Sequence, residues 1–174
     1  MKFFSPYNGQ IISHIPYKVL NERSIRATAG ILFVIGISTM RWTLLTNDRT
    51  FMEIVVPIFR AHFIVITIRW PKFSPFSWIG KWLVHRQNPE WIGATQKRFE
   101  RWLWIILATA MMVCVFIVPT PRYILLSICG TCLLFMWIES AVGFCVGCHI
   151  YGRSVRKWRI TDHSWACSGG VCPK

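Results

Sequence analysis

The sequence predicts an all-α integral membrane protein built as a four-helix bundle, and three observations support this. Hydrophobic residues make up 53% of the 174 residues and charged residues only 16%, against about a quarter charged in an average soluble domain. The apolar residues also lie in four blocks, each close to the roughly 20 residues that cross a bilayer as a helix. Blocks this continuous exceed the strands of a membrane barrel, so helices are the structure that satisfies the backbone in lipid.

The four blocks give the predicted spans in chain order. They cover about 27–45, 51–68, 102–118 and 123–151. The second block contains one cation, Arg60, within its apolar length. The third block ends at Pro119 and Pro121, because proline lacks a backbone N–H and blocks continuation of a helix. We expect residues 1–26 to form an N-terminal segment and residues 153–174 a basic, cysteine-containing tail.

The positive charges predict that both ends of the chain lie in the cytoplasm. Sixteen of the twenty Lys and Arg residues fall in segment 1–26, in the loop between the second and third spans, or in the tail. The other side holds three, namely Arg41 towards the outer end of the first span and Arg49 and Arg122 in the two loops. Because cytoplasmic loops carry an excess of Lys and Arg, we assign the net charge of +13 to membrane orientation.

The central loop, about 69–101, alternates aromatic and basic residues. Its aromatic residues are Trp70, Phe73, Phe76, Trp78, Trp82 and Trp91. This composition is typical of an amphipathic segment in the membrane interface, with rings at headgroup depth and cations against anionic lipid. Proteins that stack nucleic-acid bases on aromatic side chains also have such a composition. This sequence, however, contains no RNA-binding motif and no basic recognition helix. We therefore expect the lipid bilayer as a partner, and no nucleic acid.

Six of the seven cysteines form three close pairs, Cys129 with Cys132, Cys145 with Cys148, and Cys167 with Cys172. The first pair lies inside the fourth span, where cysteine packs as a small apolar residue, and we interpret it as structural. The other two pairs are expected to face the cytoplasm. Structural disulfides are uncommon in that reducing compartment, and metal binding or redox chemistry is commoner.

Cys145 and Cys148 have the spacing of a working dithiol. Residues three apart on a helix bring two sulfurs within bonding distance, so this pair would cycle to a disulfide or carry a persulfide. Cys167 and Cys172 would then act as a secondary thiol pair. The predicted helix places Cys145 and Cys148 at its C-terminal end, where the helix dipole disfavours a thiolate.

The same segment resembles the signature of a bacterial four-helix integral-membrane family catalogued as a domain of unknown function (DUF4395). The matching residues are Gly143, Phe144, Cys145, Gly147, Cys148 and Tyr151. Further matches are Asn21-x-Arg23-x-x-Arg26, Phe59-Arg60-Ala61, Phe73-Ser74-Pro75 and Lys97-Arg98-Phe99, so the resemblance covers about 20–152. It implies a four-helix protein of the bacterial inner membrane without an established activity. It also implies a soluble thioredoxin-like or sulfur-transfer protein as partner.

A metal site is an alternative use of the cytoplasmic cysteines. The available ligands are Cys145, Cys148, His149, His163, Cys167 and Cys172. Such ligands would suit Zn²⁺, Cu⁺ or an iron–sulfur cluster. Covalent haem is not expected although residues 145–149 fit the C-x-x-C-H pattern, because bacteria attach haem on the outer side of the membrane.

Arg60 and Glu139 are the charged residues predicted deepest in the membrane. Counted from the inner ends of their helices, they lie about 14 and about 16 Å deep at 1.5 Å of rise per residue. An intramembrane charge requires a partner, so we predict a contact between Arg60 and Glu139. The pair would be a structural ion pair or a proton or anion site.

Two functional hypotheses follow from the sequence. In the first, the cytoplasmic cysteine pairs handle thiols, sulfane sulfur or a soft metal ion. In the second, the chain is a small transport or accessory subunit in which Arg60 and Glu139 line a polar path and the cysteines are structural. Four helices enclose little volume, so a large channel would require a homo-oligomer. The sequence does not decide whether the protein is an enzyme.

Overall fold

A computed structural model of the protein describes residues 10–12, 15–68, 74–118, 120–147, 149–150 and 153. Within them the strands are β1 (Gln10–Ile12), β2 (Ile15–Asn21) and β3 (Trp91–Gly93). The helices of nine or more residues are α1 (Glu22–Thr46), α2 (Thr50–Thr67), α3 (Pro75–Leu83), α4 (Ala94–Phe116) and α5 (Arg122–Trp137). A π-helical turn (Ile138–Val142) extends α5.

The helices confirm the predicted all-α class. Four of them, α1, α2, α4 from Lys97, and α5 with its π-helical turn, are long and apolar enough to cross a membrane. Their ends differ from the predicted ones, since α1 begins at Glu22 and α4 at Ala94, each several residues early. The first turns of these two spans therefore carry charged residues, which hydropathy had assigned to the flanking loops.

A three-stranded antiparallel sheet precedes α1 and α4, and the sequence analysis did not anticipate it. β2 is the central strand, and it pairs with β3 through Val19 with Gly93, Leu20 with Ile92 and Asn21 with Trp91. Each strand is only three to seven residues long. The sheet fixes the start of α1 beside the start of α4, and we call this the sheet end of the bundle.

The capping of α1 follows directly from β2. The side chain of Asn21, the last residue of the strand, accepts a hydrogen bond from the backbone N–H of Arg23 at 3.2 Å. The backbone N–H of Glu22 donates to the carbonyl oxygen of Glu90 at 2.8 Å. These bonds satisfy donors that the first turn of a helix otherwise leaves free, which explains why the polar residues before the apolar block are helical.

α3 is the helical part of the central loop. Ser74 caps it by accepting a hydrogen bond from the backbone N–H of Ser77. Gly80 packs against α1, where a Cβ would lie 3.0 Å from the carbonyl oxygen of Ser24. Trp78 and Trp82 are 64% and 63% exposed, which agrees with an amphipathic segment, while its contact with lipid stays a prediction. Trp70 and Phe73 lie outside the described residues.

The core of the bundle consists of apolar side chains from α1, α2, α4 and α5. Its centre is the cluster of Leu32, Phe63, Ile66 and Met136. Phe63 stacks on Trp104 with ring centroids 5.6 Å apart. Large apolar side chains such as Leu45, Ile106 and Val142 are exposed on the outside of the bundle, as expected for helices that face lipid.

The end opposite the sheet is held by polar contacts of the α1–α2 loop. Arg122, at the start of α5, donates to the side chain of Asn47 and to the carbonyl oxygen of Leu44. The hydroxyl and backbone N–H of Thr50 donate to Asp48 Oδ1. These two hydrogen bonds stabilise the carboxylate and hold the pKa of Asp48 below its ordinary value.

Candidate functional site

A buried group of charged residues lies at the sheet end of the bundle. Lys97 Nζ is 2.6 Å from Glu139 Oε1 and 2.8 Å from Glu100 Oε2. Lys97 is 1% exposed, and Glu100 and Glu139 are also buried. We call these three residues the Lys97 cluster. It joins the first turn of α4 to the π-helical turn at the end of α5.

The cluster contains more acid than its lysine neutralises. Glu22, at the start of α1, is a third buried carboxyl group that interacts electrostatically with Lys97, Arg26 and Glu139. Within the described residues, Glu22 Oε2 has no hydrogen-bond partner. Buried like charges disfavour one another's ionisation. Arg26 also interacts with Glu22, and the buried Arg101 borders the same cavity as Lys97, so the three acids lie among three cations.

Arg101 and a small cavity complete the polar end of the bundle. Arg101 Nη1 donates to the carbonyl oxygen of Ile66 at 2.9 Å, and its Nε donates to the carbonyl oxygen of Lys97 at 3.1 Å. The bond to Ile66 ties α4 to the end of α2. A cavity of about 40 Å³ borders the Lys97 cluster, Arg101 and His62, which is enough for one water molecule.

The contact predicted between Arg60 and Glu139 is wrong, because Glu139 pairs with Lys97. Arg60 Nη1 instead lies 3.3 Å from Met112 Sδ. The prediction measured depth from a helix end near residue 151, but the π-helical turn ends at Val142. Glu139 is therefore about 5 Å from the end of its helix, at 1.5 Å per residue, and it meets the start of α4.

Lys97 and Glu100 were missed as site residues because the sequence analysis placed them in the loop before the third span. Their spacing offered a signal, since residues three apart on a helix lie on the same face. A Lys and a Glu at this spacing, next to an apolar block, fit the start of a helix as well as a loop. Hydropathy does not reveal that Glu139, on another helix, pairs with Lys97 and makes the burial of these residues favourable.

Cys145 lies in a turn that follows α5. Gly143 has φ +73°, a conformation in which a side chain is strained, and helical backbone resumes at residues 146 and 147. The backbone N–H of His149 donates to the carbonyl oxygen of Cys145 at 3.0 Å. The predicted continuous helix to residue 151 is therefore wrong. The dipole argument against a thiolate at Cys145 assumed that continuous helix and no longer applies.

This turn packs directly against the Lys97 cluster and against α1. A Cβ on Gly147 would lie 2.9 Å from Glu100 Cβ and 3.0 Å from Glu100 Cα. A Cβ on Gly143 would lie 2.7 Å from the guanidinium carbon of Arg26. Any other residue at these two positions would have to displace Glu100 or Arg26. The two glycines therefore allow the cysteine turn to lie beside the buried charges.

The side chain of Cys145 is 8% exposed and packs with Leu20, Ile92 and Ala94. It is disulfide-bonded, and its partner cysteine lies outside the described residues. Cys114, Cys129 and Cys132 are free thiols.

Several residues of the predicted sites lie beyond what the structure describes. Cys148, His163, Cys167 and Cys172 all fall outside the described residues. His149 is described and exposed, with its ring centroid 5.5 Å from that of Phe144. Within the described part of the chain, no three His, Cys, Asp or Glu side chains are grouped to hold a metal ion. The metal site at Cys145 thus stays a prediction.

Comparison with known proteins identifies the family. The sequence profile of the domain of unknown function DUF4395 matches residues 20–156, so the chain belongs to this family. The matched region contains the four membrane-capable helices, the Lys97 cluster and Cys145. The chain has no significant match among curated proteins or among solved structures.

Proposed function

We propose that this DUF4395 member is a membrane thiol–disulfide protein in which Cys145 is the reactive cysteine. In this role it handles thiols or sulfane sulfur with a soluble thioredoxin-like or sulfur-transfer partner. The observation that carries the proposal is the disulfide of Cys145 in a turn between two helical segments. Disulfides in reducing compartments are most often catalytic or redox-sensing.

The proposal places the protein in a bacterial inner membrane with both termini in the cytoplasm. The sixteen cations on the side of the termini, against three on the other side, support this orientation. In this orientation the sheet end, with Cys145 and the Lys97 cluster, faces the cytoplasm. A soluble partner then reaches the cysteine turn without crossing the membrane.

The chemistry is a thiol–disulfide exchange with a dithiol partner. A partner thiolate attacks one sulfur of the protein disulfide, the S–S bond breaks, and the leaving thiolate takes up a proton. The second partner thiol loses its proton and attacks the mixed disulfide, which releases the second protein thiol. The protein disulfide gains two electrons and two protons, and the partner dithiol becomes a disulfide. Glu100 packs against Gly147 through its Cα, Cβ and Cγ atoms, so the Lys97 cluster lies next to the turn that contains Cys145.

Replacing Cys145 by serine should abolish this exchange, because the disulfide then cannot form. The measurement is alkylation of freshly purified protein with and without prior reduction, read by intact-protein mass spectrometry, followed by incubation with a reduced dithiol protein. The matched control is Cys114→Ser, which removes a free thiol of α4 and should leave exchange unchanged. Undiminished exchange in Cys145→Ser would refute the proposal. So would seven alkylatable thiols before reduction.

A transport or accessory subunit is the second candidate function, and the Lys97 cluster is the observation that favours it. Three buried carboxyl groups lie with Lys97 and the buried Arg101 in a polar site within the membrane-capable helices. Under this alternative, Glu139→Gln should abolish proton uptake by vesicles that contain the protein, and Cys145→Ser should not affect it. Under the thiol proposal, Cys145→Ser is the variant that removes activity.

A further inference from the structure

A second cavity of about 70 Å³ lies between α1, α2, α4 and α5, and five sulfur-containing side chains line it. They are Met52 of α2, Met111 of α4, and Cys129, Cys132 and Met136 of α5. We call this the sulfur cavity. Its other lining residues are apolar except for Thr39. It is separate from the turn that contains Cys145.

The α5 sulfurs lie on one face of that helix. Cys129, Cys132 and Met136 are three and four residues apart, a spacing that places helical side chains on the same face. Cys129 and Cys132 are free thiols. On the facing helices, Met52 and Met111 are buried together in the apolar cluster against which Cys129 packs. Sulfur-bearing residues of three helices therefore line one cavity.

Packing explains each of these residues singly, since Met and Cys fill irregular gaps in cores. It does not explain why all five border a cavity rather than closing it. The same set is a chemically consistent ligand group, because soft thiolates and thioethers select Cu⁺ over hard cations. Hard cations such as Mg²⁺ and Ca²⁺ require several oxygen ligands, and Thr39 is the sole lining residue with a side-chain oxygen.

We propose that the sulfur cavity binds one soft monovalent metal ion, Cu⁺ or its analogue Ag⁺, through Cys129 and Cys132 with thioethers of the facing methionines. No change of oxidation state is needed. Each thiol that coordinates as a thiolate releases one proton. One of the two cysteines binds as a thiolate and releases its proton, while the other stays a neutral thiol, so that with the thioethers around a monovalent ion the complex has no net charge, which suits an apolar cavity. This site is independent of the function proposed for Cys145.

The test uses the full chain in detergent, with Cys145, Cys148, Cys167 and Cys172 replaced by Ser so that the other cysteine pairs cannot bind. Cu⁺, kept reduced without oxygen, is competed against a coloured Cu⁺ chelator. We expect one Cu⁺ per chain and loss of this binding in Cys129→Ala/Cys132→Ala. Met111→Leu, a substitution that conserves volume, should weaken binding by at least about tenfold, since losing even a group that only supports a metal ligand costs about that much.

Two neighbours supply matched controls on the same helix. Met112 and Cys114 do not line the sulfur cavity, so Met112→Leu and Cys114→Ala should bind Cu⁺ as the parent does. X-ray absorption of the copper should show sulfur neighbours alone. The proposal is overturned if the parent binds no Cu⁺, if Cys129→Ala/Cys132→Ala retains it, or if Met112→Leu weakens binding as much as Met111→Leu. Comparing Cu⁺ binding by Met111→Leu and by Met112→Leu tests the proposal even if the double cysteine variant does not fold.

Discussion

Replacing Lys97 by methionine is expected to lower the free energy of unfolding by about 3–5 kcal/mol, the cost of removing one partner from a buried ion pair. The ammonium is 2.6 Å from Glu139 and 2.8 Å from Glu100, and all three side chains are buried. Methionine retains much of the aliphatic stem but leaves both carboxyl groups without their cation. The change is measured by reversible unfolding of the protein in detergent, with heat or a denaturant used to unfold it.

Two further variants separate lost charge pairing from lost packing. Arg98→Met changes the neighbouring residue, which is exposed, and should alter stability by less than about 0.5 kcal/mol. Adding Glu100→Gln and Glu139→Gln to Lys97→Met removes the unpaired acids and should recover most of the loss. A Lys97→Met protein as stable as Arg98→Met would contradict the buried cluster.

Replacing Gly147 by alanine is expected to destabilise the protein by about 1–3 kcal/mol, the usual cost of overpacking, and to raise the alkylation rate of Cys145 severalfold in reduced protein. The added methyl would lie 2.9 Å from Glu100 Cβ and 3.0 Å from Glu100 Cα. Neither atom belongs to the mobile end of a side chain, so the turn itself must move. Cys145, which is 8% exposed, then becomes more accessible.

Gly130→Ala is the matched control for that substitution. A Cβ on Gly130 would meet only the methyl carbon of Met40, at 3.7 Å, which is ordinary contact. Gly130 lies within α5, where alanine is the better helix former, so stability should not fall. Alkylation of Cys145 should keep its parent rate. Equal alkylation rates in Gly147→Ala and the parent would mean that the turn does not depend on its approach to Glu100.

The spans were predictable from the sequence because burial in lipid requires long apolar blocks, but their ends were not. Glu22, Lys97 and Glu100 are charged, and hydropathy assigns charged residues to loops. They are helical because Asn21 caps α1 and because partners from other elements stabilise them when buried. Those partners come from distant parts of the chain, and a local pattern does not contain them. The pairing of β2 with β3 is missed for the same reason.

The candidate site was predicted in part. Glu139 was identified as an intramembrane acid that needs a basic partner, and the structure provides one in Lys97 instead of Arg60. The error came from the predicted end of the helix. The apolar sequence continues past Val142, but the regular helical conformation of the backbone ends there. Gly143 carried a signal for this break, since glycine is the residue that ends helices in a left-handed conformation. Gly143 was considered only as one residue of the family signature.

The position of Glu139 has a consequence for how the protein is made. Lys97 emerges from the ribosome more than forty residues before Glu139. The helix α4 is therefore made before Glu139, one of the two acidic partners of Lys97, has been synthesised. During that interval the Lys97 ammonium has Glu100, three residues along the same helix, as a neutralising neighbour. When α5 and its π-helical turn join the bundle, Glu139 adds the second carboxylate next to Lys97, and the packing of the bundle is completed. A nascent chain that stops short of α5 would therefore have Lys97 paired with Glu100 and lack its second acidic partner, Glu139.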